Sequence, residues 1–157
     1  SLFKLFPEVE EATITSIIQH EFRSSDLYKL DPRYLYYNAE WKTLEHSGTA
    51  PEHPNDLSLK ECKALSSIIV PLSTYFSILI THNQPTGKSA LLAVQLFRYI
   101  VHLARIASEY EWHAVVSYHM AFFTRRRREM IHGDYGGWGR VDLELLGEYL
   151  FPNRKAK

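Results

Sequence analysis

Residues 108–151 read SEYEWHAVVSYHMAFFTRRRREMIHGDYGGWGRVDLELLGEYLF, and this stretch decides the fold. Trp112, Val115, Val116, His119, Phe122 and Phe123 fall on one face of a helix. The spacing predicts a helix over residues 109–130 whose end carries Arg125, Arg126, Arg127 and Arg128. His132, Gly133, Asp134, Tyr135, Gly136 and Gly137 break it. Asp142 is placed to cap a last helix over residues 143–151. Trp112, Tyr118, Phe122, Trp138 and Leu146 are expected to form a structural aromatic clamp between these two helices, with the arginines at its open end.

Upstream, residues 88–108 are apolar almost all round, with a narrow polar stripe at Gln95, Arg98, His102 and Arg105. A helix of that kind is normally the buried central one. Residues 57–81 carry Cys62, Leu65, Ile69, Leu72, Phe76, Leu79 and Ile80 at helical spacing. Pro71 removes a donor and crowds the preceding turn, so a break is expected there, with a firm helix over residues 72–81. Residues 45–56 hold Gly48, Pro51, Pro54 and Asn55 without periodicity and read as a linker. Before it, residues 6–22 predict a first helix with Val9, Ile14, Ile17, Ile18 and Phe22 on one face. Ser25 and Asp26 cap a short helical turn that stops before Pro32. The state of the aromatic run Tyr34, Leu35, Tyr36, Tyr37 is left open by its pattern.

The fold class is therefore all-α, a compact bundle of about five to seven helices with a glycine-rich turn before the last one. Residues 1–44 form an N-terminal helical segment, 45–56 a linker and 57–157 a C-terminal bundle, together one domain. The chain has 18 basic and 18 acidic residues, so no whole-molecule field draws it to nucleic acid or membrane. The single cysteine, Cys62, excludes an internal disulfide and points to a reducing, intracellular setting, cytoplasm or nucleus. No signal peptide and no uninterrupted membrane span is read, and the ends suggest a piece of a longer protein.

Candidate chemistry is sparse. Gly87, Lys88 and Ser89 open a helix after an apolar run, the order of a phosphate-binding loop. The position of that motif's first glycine is His82, and Pro85 removes a loop donor, so an exposed turn is the better reading. His113 and His119 are six apart, not at a ligand spacing, and Cys62 lies on an apolar face as a structural thiol. No cofactor, metal or catalytic residue is assigned. Arg125 to Arg128, extended by Arg140, form the strongest local field. They suit phosphates of RNA or DNA, or an acidic protein partner, and equally a solvated helix end with one arginine paired internally.

The succession Glu109, Tyr110, Trp112, Val115, Tyr118, Phe122, Arg125, then Trp138, Asp142, Leu146 and Phe151 resembles the Gag-like first open reading frame of tyrosine-recombinase (DIRS-type) retroelements. The resemblance spans roughly residues 72–151 and departs from the pattern at Phe123 and Thr124, in the longer arginine run and in lacking a cysteine–histidine knuckle. It implies a helical, non-enzymatic protein that self-associates or packages element RNA, or a host-captured relative. Self-association is expected through residues 34–37 or the first helix. A protein-interaction adaptor or nucleic-acid-binding module is the alternative, and a P-loop-like nucleotide binder a distant one.

Overall fold

The last helical turns show how side chains set this architecture. Asp142 accepts a bond from the Leu145 N–H at 3.1 Å and so starts a helix at Leu143, as its position predicts. The computed structural model describes residues 1–46 and 62–156. Among these residues all regular structure is helical: α1 (Leu2–Leu5), α2 (Glu11–Ile18), α3 (Pro32–His46), α4 (Ser66–His82), α5 (Ser89–Glu109), α6 (Trp112–Ile131) and α7 (Leu143–Leu145). α7 continues as a wider π turn, Leu146–Leu150, and a 3₁₀ turn, Phe151–Asn153. Further 3₁₀ segments are Ser24–Leu30 and the glycine-rich Gly136–Gly139, which precedes α7.

α4 lies at the middle, between α2 with Ser24–Leu30 and α5. α6 packs on the last helical turns, and Gly136–Gly139 tucks against α5. One continuous core runs from Val9 through Leu72, Tyr99 and Phe122 to Leu150, so the N-terminal segment packs on its own bundle.

Several expectations are corrected, and one that the pattern left open is decided. The helix expected over residues 6–22 is confined to Glu11–Ile18, and the short α1 lies before it; Pro7 disfavours helical angles at Phe6, which turns out at φ −126°, ψ 62°. The intervening turn buries Val9, and Phe22 lies beyond the end of α2, stacked on Tyr75 with ring centroids 5.5 Å apart. α4 is unbroken at Pro71. That proline sits in the second turn, forfeits one backbone bond and is itself buried against the core side. The aromatic run of residues 34–37 is helical, opened by Asp31, whose carboxylate accepts from the Arg33 N–H at 2.8 Å just past Pro32. Glu45 and His46 end this helix, and the remainder of the expected linker lies outside the described residues.

The helix expected from residue 109 starts at Trp112 instead. Tyr110 is extended and forms an isolated antiparallel bridge with Arg154. The Glu111 N–H donates to Asn153 O at 2.9 Å and the Lys155 N–H to Glu109 O at 3.0 Å, which pins the C-terminal segment across the α5–α6 turn. α5, expected at the centre, is a surface helix.

Candidate functional site

Trp138 is the hub of the core. Its ring centroid lies 5.2 Å from Phe76 and Tyr99, 5.5 Å from Phe123 and 5.8 Å from Phe122, mostly edge to face. Its Nε1–H donates to Met130 Sδ at 3.3 Å. Tyr118 and Phe122, one turn apart on α6, stack at 5.6 Å, and both are fully buried. Leu146 is buried as well. Trp112 stands apart from this group. It is half-buried at the far end of α6, about 15 Å of helix from Phe122. Its Nε1–H donates to Cys62 O at 2.8 Å, tying the approach to α4 onto α6. The clamp thus unites Tyr118, Phe122, Trp138 and Leu146 with the bundle core, and Trp112 is a separate tie.

Neighbouring arginines point about 100° apart round a helix, so the run divides among different surroundings. Arg125 donates to Asp142 at 3.1 Å and to Glu144 at 2.8 Å, contacts that raise its pKa, Glu144 first. Arg126 is buried, lies 4.5 Å over the Phe122 ring, pairs with Glu129 at 2.8 Å and donates to Gly137 O at 3.3 Å. Arg127 donates to His20 O at 3.1 Å, at a residue with φ +60°. Arg128 is exposed and makes no ion pair among the described residues. It borders an open groove of about 550 Å³ with Ser24, Thr124, Glu148 and Tyr149. Arg140 is exposed at the glycine turn, its guanidinium beside Gly136. Three of the four consecutive arginines therefore hold the fold together, where the sequence suggested one.

The buried histidines are likewise internal. His119 Nδ1 and Tyr99 OH are 2.6 Å apart, and His102 Nε2 and Tyr118 OH 3.1 Å. Burial lowers the His119 pKa to about 3; burial, then Arg105, lowers that of His102. Burial also raises the Cys62 thiol. No three His, Cys, Asp or Glu side chains converge as metal ligands among the described residues. The run before Gly87 is the helix α4, so the strand of a phosphate-binding loop does not exist there.

The feature that sequence reasoning missed is on α5. Leu92, Leu96, Tyr99, Leu103 and Ile106 face the core. Roughly 160° round the helix, a second stripe of Ala90, Val94, Phe97, Val101, Ala104 and Ser108 faces outward. Leu91, Val94, Phe97 and Val101 are 65%, 46%, 66% and 58% exposed. These large apolar side chains therefore share one exposed face of the helix. The signal was present as two interleaved four-three spacings, which an all-round apolar reading merges. The helix is also long and apolar enough to cross a membrane by length and composition, with a mean hydropathy of 1.4, contrary to the expectation of no such stretch. A cleft of about 420 Å³ beside its start is lined by Lys88, Leu91, Gln95 and Tyr135. The chain matches no protein-family model, no curated protein and no solved structure at a significant level.

Proposed function

We propose that this chain is an assembly domain, of the Gag-like kind its sequence resembles, which works by self-association and binding, not catalysis. The observation that carries this reading is the outward stripe of α5, with Phe97 two-thirds exposed on a helix whose opposite face is already satisfied by the core. The N-terminal segment offers less: its exposed large apolar side chains among the described residues are Phe3, Leu5 and Tyr36, on two different helices. The fully buried Tyr99–His119 pair ties α5 to α6 inside the core, in keeping with a structural role. Nucleic-acid packaging is the less supported part of the resemblance, since only Arg128 and Arg140 of the five basic residues are exposed.

The test is mass measured by sedimentation or light scattering over a wide concentration range. The mass is expected to rise with concentration, and Phe97→Asp is expected to hold the chain monomeric with its helical signal and melting unchanged. A wild-type chain that stays monomeric at high concentration would overturn the proposal.

A further inference from the structure

We infer that the α5 stripe pairs with the α5 of a second copy of this chain, side by side and parallel, as a two-stranded coiled-coil contact; the inference rests on the self-association reading. Ala90, Val94, Phe97, Val101, Ala104 and Ser108 follow one another at intervals of four, three, four, three and four residues. That is the seam of a heptad, with Val94, Val101 and Ser108 at the first position and Ala90, Phe97 and Ala104 at the fourth. A lipid surface asks only for an apolar face. A seam this narrow, with small residues at its ends and arginines beside it, has the form of knobs for another helix. The stripe lies roughly opposite the core stripe, so two copies can meet along it with their bodies on opposite sides.

Residue type selects the strand number and charge selects the direction. Valines at the first position are the β-branched kind found there in two-stranded parallel pairs, and Ala90 and Ala104 at the fourth position let two helices approach closely. On one edge of the seam stand Leu91, Arg98 and Arg105; on the other stand Ala93, Ile100 and Ala107. In a parallel pair each edge meets the opposite edge of the second copy. Arg98 and Arg105 then lay their aliphatic stems over the second copy's Ala93 and Ile100 and keep their charges in water. In an antiparallel pair with full overlap like edges meet, which brings the two copies of Arg98 within one turn of each other. The contact runs the length of a 21-residue helix, about 31 Å.

Single cysteines placed on the seam read the direction. In a Cys62→Ser background, Ala90→Cys and Ser108→Cys are made separately; both positions are exposed, so the fold is kept. Under mild oxidation each variant alone is expected to form a disulfide-linked dimer, because in the parallel register each position faces itself. Val101→Glu added to either is expected to abolish the cross-link and raise the dimer dissociation constant at least about tenfold. Cross-linking only when the two variants are mixed would show an antiparallel pair and overturn the inference. A wild-type dimer that Val101→Glu leaves intact would leave self-association standing and move it off this seam. A chain monomeric at every concentration would remove the underlying reading itself. Flotation with phosphatidylcholine–phosphatidylserine vesicles, lost in Val101→Glu, would assign the face to membrane and overturn the proposal.

Discussion

Gly137 and Gly139 are fixed by what surrounds them, not by their own backbone angles. A methyl group on Gly137 would overlap Glu129 Oε1 and come within 2.9 Å of Arg126 Cδ, the partners of the buried ion pair under the glycine turn. One on Gly139 would overlap Gln95 Oε1 and press to 3.3 Å on the Gln95 Cα of α5. Gly147 has nothing within 4 Å and sits inside the π turn. Alanine should therefore act with opposite signs at these positions. Gly137→Ala and Gly139→Ala are each expected to cost about 1–3 kcal/mol, through forced displacement in a packed site. Gly147→Ala is expected to gain about 0.5–1 kcal/mol from a less flexible unfolded chain. Urea unfolding of the three variants checks this, and equal midpoints for all three would refute it. The sequence marks Gly137 only as part of a turn; the close approach of α6 side chains to Gly137 and of α5 to Gly139 are tertiary facts.

At the scale of elements, the junction of α6 and α7 depends on one carboxylate. Asp142 caps α7 and is shared by Arg125 at 3.1 Å and by Arg126 at 3.6 Å. Asp142→Asn keeps a capping oxygen and loses the charge, whereas Asp142→Ala loses both. The alanine variant is expected to cost about 2–3 kcal/mol and the asparagine variant roughly half of that. Chemical denaturation ranks them, and asparagine costing as much as alanine would show that the cap contributes little. This cap was readable because Asp before Leu-Glu-Leu is a local signal, and α6 was readable because an apolar, mostly aromatic stripe repeats over about three turns, from Trp112 to Phe123. The absence of helix at Pro7 and its continuity at Pro71 were not readable, since a proline suits the first turn of a helix and is expected to break one further in. What separates them is position: Phe6 must turn so that Val9 reaches the core, while Pro71 lies in an early turn with its ring buried. The outward role of α5 was hidden for a similar reason. Both of its stripes are apolar, and only the packed fold shows which one finds partners in the chain.

For the whole molecule the consequence of burying histidines is a dependence of stability on pH. His119 joins α5 to α6 through Tyr99, and its pKa is lowered to about 3 by burial alone. His20 is lowered by burial, then by His82, and His102 by burial, then by Arg105. In the unfolded chain each takes up a proton near pH 6.5. Between that value and its folded pKa, the unfolded state binds more protons than the native one, so stability falls as pH falls. Above about pH 6.5 all three are neutral in both states and contribute no slope. The unfolding free energy is therefore expected to be flat from pH 8 to 7 and to decline below about 6.5. His119 contributes up to about 1.4 kcal/mol per pH unit, continuing toward pH 3. His119→Phe removes that proton site together with its bond to Tyr99. It should lower stability at pH 7.5, where the wild-type histidine is neutral and paired, and flatten the acid limb between pH 6 and 4. Urea unfolding at fixed pH steps separates the two effects. A His119→Phe curve lying parallel to wild type down to pH 4 would mean that the acid sensitivity does not arise at His119.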